Sequence, residues 1–247
     1  MVIYKTPMTK KPSPPRTRSR AAGNASPAKG KRSARRTAGA EDNAPYHHGA
    51  LRDALLEAAE RVLERDGLSG LTLRAVAREA GVSHAAPTHH FGDLTGLVSE
   101  LAAIGFQQFN AAMAAATAAG SSLIEKAMAR AKAYVAYAQA HPGMYGLMFR
   151  TERLDMSRPS LHEAAEASFA GLAGAIGADR HEQVHKEALS LEQAAAIARA
   201  WSLVHGFTML LLDNRLSDIL CRLPKGTDAE TLLNAMLKLA IGRPPGA

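Results

Sequence analysis

Residues 71–91 read LTLRAVAREAGVSHAAPTHHF, and this stretch decides how the rest of the chain is interpreted. Thr72 can cap a short helix whose apolar positions recur at helical spacing: Leu73, Val76, Ala77 and Ala80. Gly81 follows as a stop, because glycine readily adopts the left-handed conformation that ends many helices. Ser83 then predicts the N-cap of a further short helix that ends near Phe91.

The two short helices joined by residues 81–83 form a candidate helix-turn-helix. Val82 can fill the angle between them, and the second helix lacks an apolar stripe, so its side chains are free to face outward. A short helix supported by two others fits the width of the DNA major groove. The alternative is an ordinary corner in a helical bundle, which the same Gly-x-Ser turn would also permit.

Helices are predicted on both sides of this motif. Before it, an apolar helical face leads to a glycine stop: Leu51, Leu55, Ala58 and Val62, then Gly67. After it, Asp93 begins a helix whose inner face holds an apolar set: Leu97, Val98 and Leu101. The motif therefore completes a three-helix unit that a fourth helix follows.

The remainder of the chain also has the sequence pattern of helices. Four Ser/Thr-x-x-Glu/Gln capping boxes predict helix starts: Ser122/Glu125, Ser160/Glu163, Ser190/Gln193 and Thr227/Glu230. The tripeptide His141-Pro142-Gly143 predicts a break after the helix over 122–140, and a short apolar segment follows it. No stretch alternates apolar and polar residues as a half-buried strand does, so we expect an all-α protein.

Charge is distributed unevenly along the 247 residues, whose formal net charge is +7. Residues 1–40 hold 11 Lys/Arg and no Asp/Glu, whereas residues 41–247 hold 19 Lys/Arg against 23 Asp/Glu, a balance of −4. Residues 1–45 contain six prolines and are predicted to form a disordered basic tail. A transit peptide is an alternative, although the prolines oppose the amphipathic helix that such a signal needs.

The composition argues against several classes of protein. The single cysteine, Cys221, allows neither an intrachain disulfide framework nor a zinc site built from cysteines. We expect no apolar run of the ~18–20 residues that span a bilayer and no apolar block of the signal-peptide kind. The sequence therefore predicts a cytoplasmic protein without a membrane partner.

Residues 49–109 resemble the DNA-binding headpiece of the tetracycline-repressor (TetR) family. The resemblance rests on residues 71–77 (LTLRAVA), residues 80–83 (AGVS) and His90-Phe91, which follow one another without a gap. Residues 201–206 (WSLVHG) resemble the tryptophan–histidine–glycine signature of the WHG type of C-terminal domain in the same family.

This resemblance implies a homodimeric transcriptional regulator, most often a repressor, that a small-molecule effector releases from a palindromic DNA operator. It implies that residues 46–109 form the DNA-binding domain, with the helix-turn-helix at 72–91, and that residues 110–247 bind the effector and dimerise. The all-α fold is then a three-helix headpiece followed by a C-terminal helical bundle. We expect no enzyme activity, and therefore no catalytic residue, metal or cofactor.

In the family, the second helix of the motif enters the major groove. The residues that match DNA-contacting positions are Thr72, Arg74, Ser83, His84, Ala85, Ala86, Thr88, His89 and His90. His84, Thr88 and His89 are candidate base readers, because imidazole and hydroxyl groups both donate and accept hydrogen bonds. For His90, a phosphate contact and core packing both remain open, whereas Phe91 is expected in the core.

Two departures from the family pattern indicate a weak grip on the DNA backbone. Thr88 stands where the family usually has an aromatic residue, and Leu94 stands where it usually has a lysine. Residues 46–109 also contain five arginines, no lysine and eight acidic residues, a balance of −3. Because phosphate neutralisation supplies much of the affinity for DNA, we hypothesise that the basic tail provides the missing contacts. A solvated extension without a role is the alternative.

Two C-terminal segments, 190–213 and 228–241, are apolar on more than one face and so need partners on two sides. The resemblance implies that they pair with their copies in a four-helix dimer interface; burial inside a monomer is the alternative. The candidate effector-binding residues are Met144, Met148, Phe149, Trp201, His205 and Phe207, with Tyr145 beside them. Such side chains suit a small, apolar effector, although the same residues could equally be plain core.

His181-Glu182-x-x-His185 matches the zinc-protease pattern, in which two histidines on one helix face hold the metal. The flanking residues are polar, whereas a catalytic zinc helix is usually buried, and no further metal ligand follows at the expected spacing. A zinc hydrolase is therefore a rival interpretation that this context argues against. A nucleic-acid-binding protein driven by its tail, without sequence preference, is the second rival.

Deletion of residues 1–40 should weaken DNA binding on every DNA sequence and flatten its dependence on salt. The slope of log K against log salt changes by about 0.9 for each lost phosphate contact. Titrations of the full and shortened chains between low and physiological salt measure this slope. An unchanged slope would rule out the tail as a phosphate-binding arm.

Overall fold

The computed structural model describes residues 46–118, 120–185 and 187–241, and the basic tail at 1–45 lies outside them. The helices are α1 (Tyr46–Gly70), α2 (Leu73–Glu79), α3 (Ala86–Phe91), α4 (Leu94–Ala118), α5 (Leu123–Ala140), α6 (Pro142–Met148), α7 (Pro159–Arg180), α8 (Leu191–Leu212), α9 (Ser217–Leu220) and α10 (Ala229–Ile241), with a 3₁₀ turn at Thr151–Arg153. These described residues contain no strand, which confirms the all-α prediction.

Local sequence signals set the helix ends of the headpiece. Gly67 interrupts α1 at φ 68°, as predicted for a stop. Thr72 caps α2, because its side-chain oxygen accepts the N–H of Ala75 at 3.1 Å. Gly81 leaves α2 at φ 69°, a conformation that glycine adopts without steric cost.

The start of α3 differs from the prediction. The N-cap is Ala85 rather than Ser83, and the helix begins at Ala86. Pro87 explains the shift: in a helix capped by Ser83, the residue at 87 would donate its N–H to the Ser83 carbonyl, and proline has none. The N–H of Ala86 donates to that carbonyl instead, at 3.0 Å, and closes a turn before the helix.

Two of the four predicted capping boxes are present, those of Ser122 with Glu125 and of Ser190 with Gln193. The other two predictions were wrong. The first helical residue of α7 is Pro159, and the Ser160 hydroxyl donates to Glu100 on α4 instead of capping. At α10, the side chain that accepts the N–H of Thr231 belongs to Asp228 rather than Thr227.

The described residues from 48 to 241 form one compact unit, with α4 at its centre. The predicted domain boundary at residue 109 falls within α4, so headpiece and C-terminal segment share that helix. The larger apolar core joins α1–α4 to α5–α7, and a second cluster lies between α5, α8 and α10. The shared helix therefore connects the motif directly to the C-terminal bundle.

The helix α8 corrects one expectation from the sequence. Its 22 residues, at a mean hydropathy of 1.4, are long and apolar enough by length and composition to cross a membrane. Only 17% of its most apolar window is buried in the structure. An apolar helix with so much open surface needs a further partner, whether protein or lipid.

Candidate DNA-binding surface and effector region

The helix α3 has a buried side and an outward side. Pro87 and Phe91 are buried, whereas a contiguous group of predicted DNA-contacting residues is exposed: Ser83, His84, Ala85, Thr88 and His89. Ala86 and His90 are half-buried between the two sides. The outward side is thus rich in groups that donate and accept hydrogen bonds, as a helix that reads base edges requires.

The other two predicted DNA contacts, Thr72 and Arg74, lie exposed at the start of α2, and α2 packs against α3. The Thr72 oxygen already accepts a backbone N–H as the cap of α2, but its hydroxyl proton remains able to donate to a phosphate. The contacts of all these residues with DNA remain predictions.

Ion pairs occupy most of the positive charge in the headpiece. Glu79 accepts from Arg61 at 3.1 Å and from Arg65 at 2.8 Å, and the Arg65 hydrogen bond holds the pKa of that carboxyl below its ordinary value. Arg52 pairs with Glu100 at 2.6 Å. Within the described part of the chain, Arg74 and Arg78 are the headpiece arginines that form no ion pair. Arg78 was not among the residues predicted from the sequence.

A polar group lies inside the aromatic part of the larger core. The hydroxyl oxygens of Tyr134 and Tyr145 lie 2.9 and 2.8 Å from His205 Nδ1, and Tyr145 donates to Tyr134 at 3.1 Å. These residues come from α5, α6 and α8 respectively. Three polar side chains distant in sequence therefore converge on one point, which we name the Tyr–Tyr–His group.

Burial keeps the Tyr–Tyr–His group neutral. Burial lowers the pKa of His205, raises the pKa of Tyr134 to about 12 and raises that of Tyr145. A neutral imidazole that accepts at Nδ1 carries its proton on Nε2. In the other tautomer Nδ1 carries the proton and donates to the tyrosine oxygens, so the direction of both contacts with His205 is set by the tautomer. The group offers both donors and acceptors without net charge.

Five of the six predicted effector-binding residues belong to this part of the protein. Met144 and Met148 are buried in the larger core. The rings of Phe149 and Trp201 lie 4.8 and 5.5 Å from that of His205, and all three residues are half-buried. Phe207 lies apart, in the second cluster between α5, α8 and α10. Effector binding by any of these residues remains a prediction.

Tyr134, which completes the Tyr–Tyr–His group, was not among the residues predicted from the sequence. Its helix shows an aromatic pair at 134 and 137, but Tyr137 donates to the carbonyl of Gly105 instead, at 3.0 Å. Local spacing does not indicate which of the two tyrosines turns toward His205, because that residue lies 71 positions away in the chain.

The zinc-protease pattern does not form a zinc site in the structure. α7 ends at Arg180, and His181 adopts a left-handed conformation with φ 55°. Residues 182–185 are not helical, so His181 and His185 do not share a helix face. The described residues contain no group of three or more metal-ligating side chains.

Two family comparisons match most of the described chain. Residues 55–101 match the family described as bacterial regulatory proteins, tetR family. Residues 127–238 match the family described as tetracyclin repressor-like, C-terminal domain. The first match contains the helix-turn-helix, and the second contains all three members of the Tyr–Tyr–His group.

Solved structures share the fold. A protein of unknown function from Rhodococcus sp. RHA1 is 33% identical with a TM-score of 0.64, over 79% of this chain and 95% of that one. The protein SCO4313 is 23% identical with a TM-score of 0.61, over 82% and 100%. The transcriptional regulator FadR from Bacillus subtilis, solved in complex with stearoyl-CoA, is 15% identical with a TM-score of 0.53, over 76% and 96%.

No curated protein sequence matches the chain significantly. The order of the two family matches nevertheless agrees with the order of the structural parts, a helix-turn-helix headpiece followed by a helical bundle. The chain therefore belongs to the tetR family of bacterial regulatory proteins.

Proposed function

We propose that this chain is a sequence-specific DNA-binding transcriptional repressor, without enzyme activity, that acts in the cytoplasm. Residues 46–109 bind the operator and residues 110–247 bind the effector and dimerise. The observation that carries the proposal is the outward side of α3, where His84, Thr88 and His89 are exposed above a buried Phe91. Such a helix presents polar groups to base edges while its other side holds it to the headpiece.

A footprint on the DNA upstream of the gene for this chain tests the proposal. At about physiological salt, the full chain should protect one roughly palindromic site. His84→Ala and His89→Ala should each weaken binding there by about tenfold, because one lost base contact costs ~1–3 kcal/mol.

His185→Ala serves as the matched control, since His185 is exposed outside the headpiece. It should leave the footprint unchanged. Binding that gives no discrete footprint and that disappears when residues 1–40 are removed would support the alternative interpretation, a nucleic-acid-binding protein driven by its tail and without sequence preference. Protection that survives both headpiece substitutions would contradict base reading by α3.

The dimer rests on the open surfaces of α8 and α10. On α8, exposed side chains recur at helical spacing: Ala195, Ala198, Ser202 and Met209. On α10 an exposed face also recurs at every fourth residue: Thr231, Ala235 and Leu239. Arg199 on α8 donates to the carbonyl of Ala240 on α10 at 3.5 Å. Small and apolar faces on adjacent helices suit a two-fold interface, in which the same patch of each protomer meets its copy.

Ala198→Arg should raise the dimer dissociation constant by about tenfold or more, because an arginine there would be buried without a partner. Sedimentation velocity across a dilution series measures the change. Ala111→Arg is the control, since Ala111 is exposed on α4. Alanine and arginine are both good helix formers, so neither substitution should disturb its helix. A fully dimeric Ala198→Arg chain would place the interface elsewhere.

The effector region is the aromatic cluster around the Tyr–Tyr–His group. Phe149, Trp201 and His205 are half-buried and their rings lie next to one another. The apolar walls favour an apolar molecule, and the Tyr–Tyr–His group favours one that carries a single hydrogen-bonding oxygen. The FadR relative solved with stearoyl-CoA supports the capacity of this fold to hold an apolar chain. Effector binding changes the separation of the two headpieces and releases the operator.

Matched pairs of ligands that differ by one oxygen, such as 1-naphthol and naphthalene, test this effector class. The hydroxylated member should bind the wild type more tightly, and Tyr145→Phe should reduce the difference by about tenfold. Isothermal titration calorimetry measures both affinities. Tyr137→Phe is the control, because Tyr137 donates to Gly105 and not to His205. Equal affinities for both members in the wild type would contradict recognition by the Tyr–Tyr–His group.

A further inference from the structure

The C-terminal end of α3 is held by an arginine from the start of α7. Arg158 Nη2 donates to the carbonyl of Phe91, the last residue of α3, at 3.2 Å. The last carbonyls of a helix have no partner within the helix, so an outside donor is needed to satisfy them. A cationic donor also interacts favourably with the negative end of the helix dipole. Arg158 supplies both from 67 positions away in the chain.

A second contact fixes the arginine itself. Arg158 Nη1 lies 3.3 Å from Glu100 on α4, whose side chain is 14% exposed. Glu100 also pairs with Arg52 of α1 at 2.6 Å and accepts the Ser160 hydroxyl of α7 at 3.0 Å. The guanidinium therefore bridges a carboxylate and a carbonyl at the same time, through two separate nitrogens of its planar fork.

The route that Arg158 takes to α3 depends on the absence of a side chain at Gly96. A Cβ atom at Gly96 would lie 2.0 Å from the Phe91 carbonyl oxygen and 2.5 Å from Arg158 Nη2. Both distances are too short for real contacts, so the glycine leaves the space through which the arginine reaches the carbonyl.

Arg158 lies at the start of α7, where it is the N-cap residue before Pro159. The segment before it is tied to α4, since the N–H of Asp155 donates to the buried Ser99 hydroxyl at 2.8 Å. α7 packs along α4 and against α8, which carries His205. A displacement of the start of α7 would therefore move the donor that holds α3.

We infer that Arg158 is a positioning residue for DNA binding, which couples the start of α7 to the recognition helix. It touches no base or phosphate; it holds α3 in its place on α1 and α4 through the Phe91 carbonyl and Glu100. When α7 moves relative to α4, α3 loses this hold and its outward side chains lose their register in the groove. The inference rests on the proposed function in so far as α3 reads DNA.

Hydrogen exchange of the full chain in the absence of DNA tests the positioning directly. Arg158→Met keeps the aliphatic stem but removes the donor, and it should raise amide exchange in residues 86–95 by about tenfold. Exchange in α2 and α5 should be unchanged. Arg158→Lys should give an intermediate increase, because lysine keeps the positive charge but offers one nitrogen where the guanidinium uses two. Arg153→Met is the control, as an exposed arginine of the same segment.

Titration with the footprinted operator fragment supplies the second readout. Arg158→Met should weaken binding by about tenfold without a change in the salt slope, because no phosphate contact is lost. A slope lower by about 0.9 would show that Arg158 itself contacts a phosphate and would overturn the inference.

Unchanged amide exchange in α3, or an equal effect of Arg153→Met, would also overturn the inference. Should Arg158→Met fail to fold, Arg158→Lys decides by the same measurements. If the wild type binds no operator, the proposed function fails, and the exchange data alone decide the coupling of α7 to α3.

Discussion

Close packing against α4 at two glycines is the constraint on which the rest of the structure depends. At Gly96, α4 leaves room for the end of α3 and for Arg158. At Gly105, a Cβ atom would lie 2.7 Å from the sulfur of Met144 on α6. Because neither position carries a side chain, one continuous helix can pack closely against α3 near its start and against α6 about two and a half turns further along.

The headpiece meets the C-terminal bundle through two sets of hydrogen bonds. In one, Arg158 connects α7 to α3. In the other, the Glu64 carboxylate of α1 accepts the N–H groups of Gly143 and Met144, at 3.3 and 3.1 Å, at the start of α6. α6 also carries Tyr145, so the Tyr–Tyr–His group lies one short helix away from α1. A contiguous set of packed elements thus links the aromatic cluster to the helix-turn-helix.

The helices and the motif could be predicted from the sequence because their signals are local. Thr72, Ser122 and Ser190 cap helices with backbone groups three residues away, as the capping patterns indicate. The predicted N-caps at Ser83 and Thr227 were wrong because a nearby residue changed the helix start. Pro87 has no N–H for the Ser83 carbonyl, and Asp228 accepts the N–H of Thr231 in place of Thr227. The Tyr–Tyr–His group and the Arg158 contact could not be predicted, because tertiary packing alone brings their members together.

The position of the single tryptophan gives the protein an intrinsic optical reporter. Trp201 is the one indole in the chain, and its ring lies 5.5 Å from His205 and 6.4 Å from Phe149. Indole emission is sensitive to the polarity of its surroundings, so the tryptophan fluorescence of the unlabelled protein reports on the aromatic cluster around the Tyr–Tyr–His group. In a two-fold dimer the two tryptophans occupy equivalent positions. The change in tryptophan emission, as a fraction of the change at saturation, therefore gives the fraction of protomers that hold a ligand. The stoichiometry and cooperativity of an effector can therefore be read without a dye or a substitution.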